Sequence, residues 1–160
     1  MKAVQTIYDE LTYAVNGAAM AVHRELGPGY PEKVYHEALM IELAEQGIPA
    51  QKEVMFTAEY RGRTVGEFRV DVFVDQAVVV EVKAIDTLIE RHEQQVISYL
   101  TTTGREVGLL LNFGVASLQF KRIFLPQSIQ KSQAYQAKLK LWKPAWLAEK
   151  EKSVQIRLIR

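Results

Sequence analysis

The chain has 160 residues, 48% hydrophobic and 24% charged, which is enough apolar material for one globular domain with its own core. It has no cysteine, which excludes a disulfide framework, a thiolate zinc site and a cysteine nucleophile, and its three separated histidines do not suggest a histidine metal cluster. The formal net charge of +1 conceals a division, because residues 1–100 carry 9 Lys/Arg against 16 Asp/Glu whereas residues 101–160 carry 11 against 3.

In the first segment Ile7, Leu11, Ala14, Ala18, Ala21 and Val22 recur at steps of three and four, which predicts a helix with one buried stripe ending near Leu26. Gly27-Pro28-Gly29 breaks it, and Pro31 opens a second helix that runs to about Gln46 and stops at Gly47. Glu32 therefore falls in a first helical turn. Glu53 to Tyr60 and Thr64 to Val74 are expected as strands joined around Arg61-Gly62, and the β-branched run Ala77 to Ala84 as a third. Short links make these three an antiparallel meander. From about Asp86 to Thr103 the pattern is helical again, with Gly104 as the stop signal, and Glu106–Asn112 and Leu118–Phe124 follow as strands. Beyond Pro126 the chain turns basic, with a helix expected near 129–142 and a terminal strand over Val154–Ile159. No run approaches the roughly 18 consecutive apolar residues of a membrane helix, and Asp9 and Glu10 interrupt the order of a signal peptide. A soluble, cytoplasmic protein with no membrane partner is expected.

The chemically informative stretch is Arg69-Val-Asp-Val-Phe-Val-Asp-Gln-Ala-Val-Val-Val-Glu-Val-Lys83. Alternation along a strand puts Arg69, Asp71 and Phe73 on one face, and Glu81 and Lys83 on one face of the next strand. If Asp75 to Ala77 form a three-residue turn, Asp71 lies opposite Glu81 and Arg69 opposite Lys83; a two-residue turn would separate them onto opposite faces. Val78, Val79, Val80 and Val82 surround Glu81 as in a strand buried on both faces, where a carboxylate needs a partner or a metal ion. Two carboxylates and the Val82 carbonyl supply hard oxygen ligands suited to Mg²⁺ or Mn²⁺, with Lys83 placed to orient or deprotonate a water. The same four side chains, Arg69 included, also fit a buried ion-pair network.

The order of elements resembles the αβββαβ core of the PD-(D/E)XK nuclease superfamily, with an extra N-terminal helix and a C-terminal extension. More closely, Gly29, Glu32 and Tyr35 within Val22–Leu39 resemble the signature of the GxxExxY protein family. So do Arg69-Val-Asp71, Val80-Glu-Val-Lys83, His92–Leu100 and Gly108–Gly114. The likeness runs over about residues 5–125, which sets a nuclease-like domain at 1–125 and a basic extension at 126–160. It implies that Asp71 and Glu81 bind metal, that Glu32 reaches the site from its helix, and that Lys83 is the catalytic lysine. Gln95 and Tyr99, one helical turn apart, match a Q-x-x-x-Y element of the exonuclease-like branch. Val70 stands where the superfamily's name has proline.

Neighbouring residues have plainer readings. Tyr35 either lines the site or belongs to the core, and Gly27-Pro28-Gly29 either binds an anion or punctuates the helices. His23 is expected as a satisfied or exposed histidine, and Asn112 as a turn residue. The function expected is a Mg²⁺- or Mn²⁺-dependent nuclease acting on DNA or RNA; the alternative is an inactive nucleic-acid- or protein-binding module on the same fold. Lysines around Trp142 and Trp146 favour either nucleic-acid contact or docking of the extension on the core or on a second copy, so a homo-oligomer is also open.

Overall fold

The computed structural model describes residues 8–142. Helix α1 (Asp9–Leu26) has Asp9 and Glu10 in its first turn and Arg24 in its last, charges that complement the helix dipole at both ends. Helix α2 (Glu32–Glu45) follows Pro31, and strands β1 (Ala50–Tyr60), β2 (Arg63–Val74) and β3 (Val78–Lys83) form the meander. Helix α3 (Glu90–Thr103) starts later than the periodicity suggests, and strands β4 (Val107–Asn112) and β5 (Gln119–Phe124) precede α4 (Gln127–Gln130) and α5 (Gln133–Trp142).

One five-stranded sheet runs in the order β1-β2-β3-β4-β5. All neighbours are antiparallel except β3 and β4, which α3 connects as a parallel pair. Helices cover both faces. Val15, Ala18 and Val22 of α1 and Tyr35, Leu39 and Leu43 of α2 pack on Val72, Val80, Val82, Leu109 and Leu111. Across the sheet, Val96, Tyr99 and Leu100 of α3 pack on Phe73, Val79 and Leu110. Strand β3 has helices over both faces, which is why its valines run without alternation.

The β1–β2 hairpin changes face midway. Val72 and Val74 join the cluster under α1 and α2, whereas Val70 and Phe68, which plain alternation would put beside them, pack under α3. The switch lies where Glu53 takes a left-handed backbone (φ 52°) inside β1. The register is the same on both sides, Lys52–Val72 and Val54–Val70, so the ladder is twisted there without an inserted residue. Arg69, Asp71 and Phe73 consequently do not share a face: Phe73 is buried under α3, Arg69 is exposed, and Asp71 sits at the switch.

Of the extension, α5 docks on the core. Tyr135 is buried and donates its hydroxyl to the Arg105 carbonyl at 2.6 Å, Leu139 packs against the α3-side cluster, and Lys138 donates to the Thr101 carbonyl at 3.0 Å. The expected strand Val154–Ile159, Trp146 and the Trp142 side chain lie outside the described residues.

Candidate active site

The turn after β2 is the three-residue Asp75–Ala77, with Val74 paired to Val78. Continued, this register sets Asp71 opposite Glu81, but pairing stops at Val72–Val80. In place of the next rung, the Asp71 side chain accepts the Val82 N–H at Oδ2, 2.9 Å away. The strands thus part where the carboxylates meet, and no Arg69–Lys83 pair forms. Glu81 is 3% exposed, and Lys83 Nζ lies 3.1 Å from its Oε1. Glu81 Oε2 is buried without a donor.

Burial first, and then the charge of Asp71, push the Glu81 carboxyl up to about 8, with Lys83 partly opposing them. Asp71 thus favours the protonated form of Glu81. Two acceptors facing each other at a buried position need a proton or a cation between them. That requirement fits a divalent ion of the Mg²⁺ type, which is held by one or two carboxylates and keeps other positions for water and phosphate. Among the described residues no three His, Cys, Asp or Glu side chains form a ready metal cage.

Glu32 is half-buried in the first turn of α2, and its charge reaches His36 one turn on and His92 on α3. His36 is the residue that pattern reading missed. Its Nε2 lies 3.5 Å from Asp71 Oδ2, an ion-pair distance too long for a good hydrogen bond, and Asp71 holds its pKa above the ordinary imidazole value. The available signal was its position four residues after Glu32, on the same helical face.

On α3, Gln95 Nε2 donates to the Tyr99 hydroxyl at 2.9 Å. Burial and then the Glu81 charge push the Tyr99 phenol up to about 12, which brings the pair into the electrostatic reach of the carboxylates. A cleft of about 490 Å³ opens beside Lys83, lined by Arg91, His92, Gln94, Gln95 and Ser98.

The surrounding shell explains the remaining motif residues. Tyr35 is a core residue: it stacks on Phe113 at 4.6 Å, donates to the Gly27 carbonyl at 2.6 Å and accepts the Tyr30 N–H at 3.2 Å, which pins the loop between α1 and α2. Gly27 and Gly29, at φ 66° and 115°, thus serve helix punctuation. His23 is satisfied by the Val115 carbonyl at 2.9 Å. Asn112, fully buried, accepts the N–H groups of Ile85 and Gly114 and donates to the Ile85 carbonyl, so it clamps the chain leaving Lys83 to the β4–β5 connection. A Cβ at Gly114 would lie 2.3 Å from the Ile85 nitrogen, so only glycine allows this approach.

A family model of the PD-(D/E)XK nuclease superfamily matches residues 9–123. Among solved structures, that of SSO0001 is similar with a TM-score of 0.50 at 18% identity, over 69% of this chain and 59% of that one, so the chain spans about three-fifths of that protein's length. The alkaline exonuclease LHK-Exo from Laribacter hongkongensis aligns at 13% identity and a TM-score of 0.47, over 88% of this chain and 81% of that one. Its complex with dAMP aligns at 15% and 0.48, over 94% and 87%. At 18% identity the likeness to SSO0001 is one of fold. No curated protein sequence matches the chain.

Proposed function

Because the chain belongs to the PD-(D/E)XK nuclease superfamily, we propose that it is a divalent-metal-dependent nuclease cleaving phosphodiester bonds of DNA or RNA. The observation that carries this reading is the facing pair Asp71–Glu81, set where β2 and β3 part, with Lys83 on Glu81. Nucleases of this superfamily generally use divalent metals; Mg²⁺ or Mn²⁺ would polarise the scissile phosphate and acidify a bound water. Asp71, Glu81 and the Val82 carbonyl would hold the ion, and Glu32 would add a carboxylate from the first turn of α2. Lys83 would orient the attacking water, and Gln95 and Tyr99 would contact the substrate beside it. His36 would fix the Asp71 carboxylate.

Within the superfamily, the spacing Gly29-x-x-Glu32-x-x-Tyr35 favours the GxxExxY family. We take residues 1–125 as the nuclease domain and 126–160 as a basic extension packed on or following it, in a protein working in the cytoplasm. No helix among the described residues is long and apolar enough to cross a membrane.

The test is cleavage of labelled single- and double-stranded DNA and RNA in Mg²⁺, Mn²⁺ or EDTA. Glu81→Ala and Lys83→Ala should each lose at least about 100-fold in rate. Asp71→Asn should keep or gain stability without metal, because it removes the charge that, after burial, holds a proton on Glu81. A loss of ~3–5 kcal/mol instead would favour a structural ion-pair network over a metal site.

A further inference from the structure

Helix α3 divides its outer surface by charge. Glu93 pairs with Lys121 of β5, and with Glu90 it lines a separate cleft on that side. Arg91, Gln94, Gln95 and Ser98 follow the i, i+3, i+4, i+7 spacing of a single helical stripe. With Lys83 and His92 they line the cleft of about 490 Å³ that adjoins the acidic pair, and none of these six residues is a carboxylate. His92 Nδ1 accepts the Ile89 N–H at 3.0 Å, which leaves Nε2 as the ring's donor. Lys83 belongs to both, since its ammonium contacts Glu81 and the residue also lines the cleft. A volume of this size lies in the range of small-ligand sites. Its lining of donors and cations, set against an acidic neighbour, selects an anion with hydrogen-bonding substituents.

We propose that this cleft is a subsite for the polynucleotide backbone that takes the phosphate flanking the scissile one, with Arg91 as its charged contact and Gln94 and Ser98 as neutral donors. The word scissile rests on the nuclease reading above; binding of the backbone does not. A strand entering here would run along α3 to the carboxylates, so the cleft would set the direction from which substrate approaches.

The experiment measures anisotropy of a fluorescein-labelled single-stranded oligodeoxythymidylate, and of oligouridylate, in EDTA over a range of salt. The full-length protein is compared with Arg91→Ala, Arg91→Glu and Arg61→Ala, the last at the hairpin tip away from the cleft. Arg91 is exposed, so its variants should fold; circular dichroism checks this. Arg91→Ala should weaken binding about tenfold at low salt and flatten the slope of log affinity against log salt by about 0.7, one single-strand phosphate contact. Arg91→Glu should weaken it further, and Arg61→Ala should match wild type. Equal slopes for Arg91→Ala and wild type, or the same loss in Arg61→Ala, would overturn the subsite. Parallel cleavage assays separate the two readings. A wild type that binds with the expected Arg91 dependence but cuts nothing sinks the nuclease and keeps the subsite. A wild type that cuts, with KM unmoved by Arg91→Ala, sinks the subsite alone.

Discussion

With burial and the Asp71 charge holding its carboxyl at about 8, Glu81 is protonated at neutral pH when no metal is bound. The folded pKa lies above the ordinary 4.5, so the folded state keeps a proton that the unfolded chain gives up. The associated stabilisation is complete below about 4.5 and disappears as pH rises through about 8. In EDTA, the wild-type melting temperature should therefore fall across that window while that of Glu81→Gln stays nearly flat. At the upper end Glu81→Gln should be more stable, by an amount on the order of a few kcal/mol. A cation entering the site replaces the same proton, so Mg²⁺ or Mn²⁺ binding at neutral pH should release about one proton. Calorimetry in two buffers of different ionisation enthalpy measures that number, and a value of zero would mean that the ion binds elsewhere. The meeting of Asp71 and Glu81 was legible from sequence because a three-residue turn sets them at the same level of β2 and β3. His36 was not, because its contact with Asp71 joins elements 35 residues apart and its trace in the sequence is no more than the four-residue spacing from Glu32.

Among the elements, the long hairpin departs most from its pattern. The strand positions were readable, but the change of face was not. Glutamate has no particular preference for left-handed backbone, so nothing in Lys52-Glu53-Val54 announces φ 52°. The twist lets the base of the hairpin serve the α2 face while its outer half wraps toward α3, with Phe56 against Phe73 and Phe68 against Tyr99 in edge-to-face contact. Asp71 lies opposite Glu53 at the turning point, so the distortion and the carboxylate site coincide. Glycine at 53 would relieve the left-handed conformation but cost unfolded-state entropy, and Glu53→Gly should be close to neutral in urea unfolding. A β-branched residue has no such relief, and Glu53→Val should lose about 1–2 kcal/mol. Equal stabilities for Gly and Val would indicate that the backbone can relax there without penalty.

For the whole molecule, the division of charge between residues 1–100 and 101–160 does not separate two bodies. Part of the basic half is built into the core: Arg105 is buried and donates to the Gln76 and Thr103 carbonyls, and Lys138 reaches Thr101. Lys121 and Arg122 of β5 pair with Glu93 and Asp9 from the acidic half. The charges thus tie the two halves together, and composition alone could not tell this from a nucleic-acid surface. Truncation after Phe124 removes Leu125, Tyr135 and Leu139 from the α3-side cluster. The shortened protein should self-associate and melt lower while still binding metal, read by light scattering and calorimetry. A monodisperse, equally stable product would mean that the docking contributes nothing.

The clamp of Asn112 and Gly114 on Ala84–Ile85 bears on where the chain can be cut and rejoined. The segment leaving Lys83 is held by the Asn112 side chain and by the close approach of Gly114, so the end of β4 and the connection after it act as a brace for the lysine. The exposed tip Arg61–Gly62, by contrast, is the turn that joins β1 to β2. New termini or a grafted peptide placed between Arg61 and Gly62 should leave folding and site intact. The same operation between Phe113 and Val115 should displace Lys83 and abolish activity even where the product still folds. A library of circular permutants scored for solubility and cleavage would map this difference, and a functional opening at Gly114 would show that the brace is dispensable.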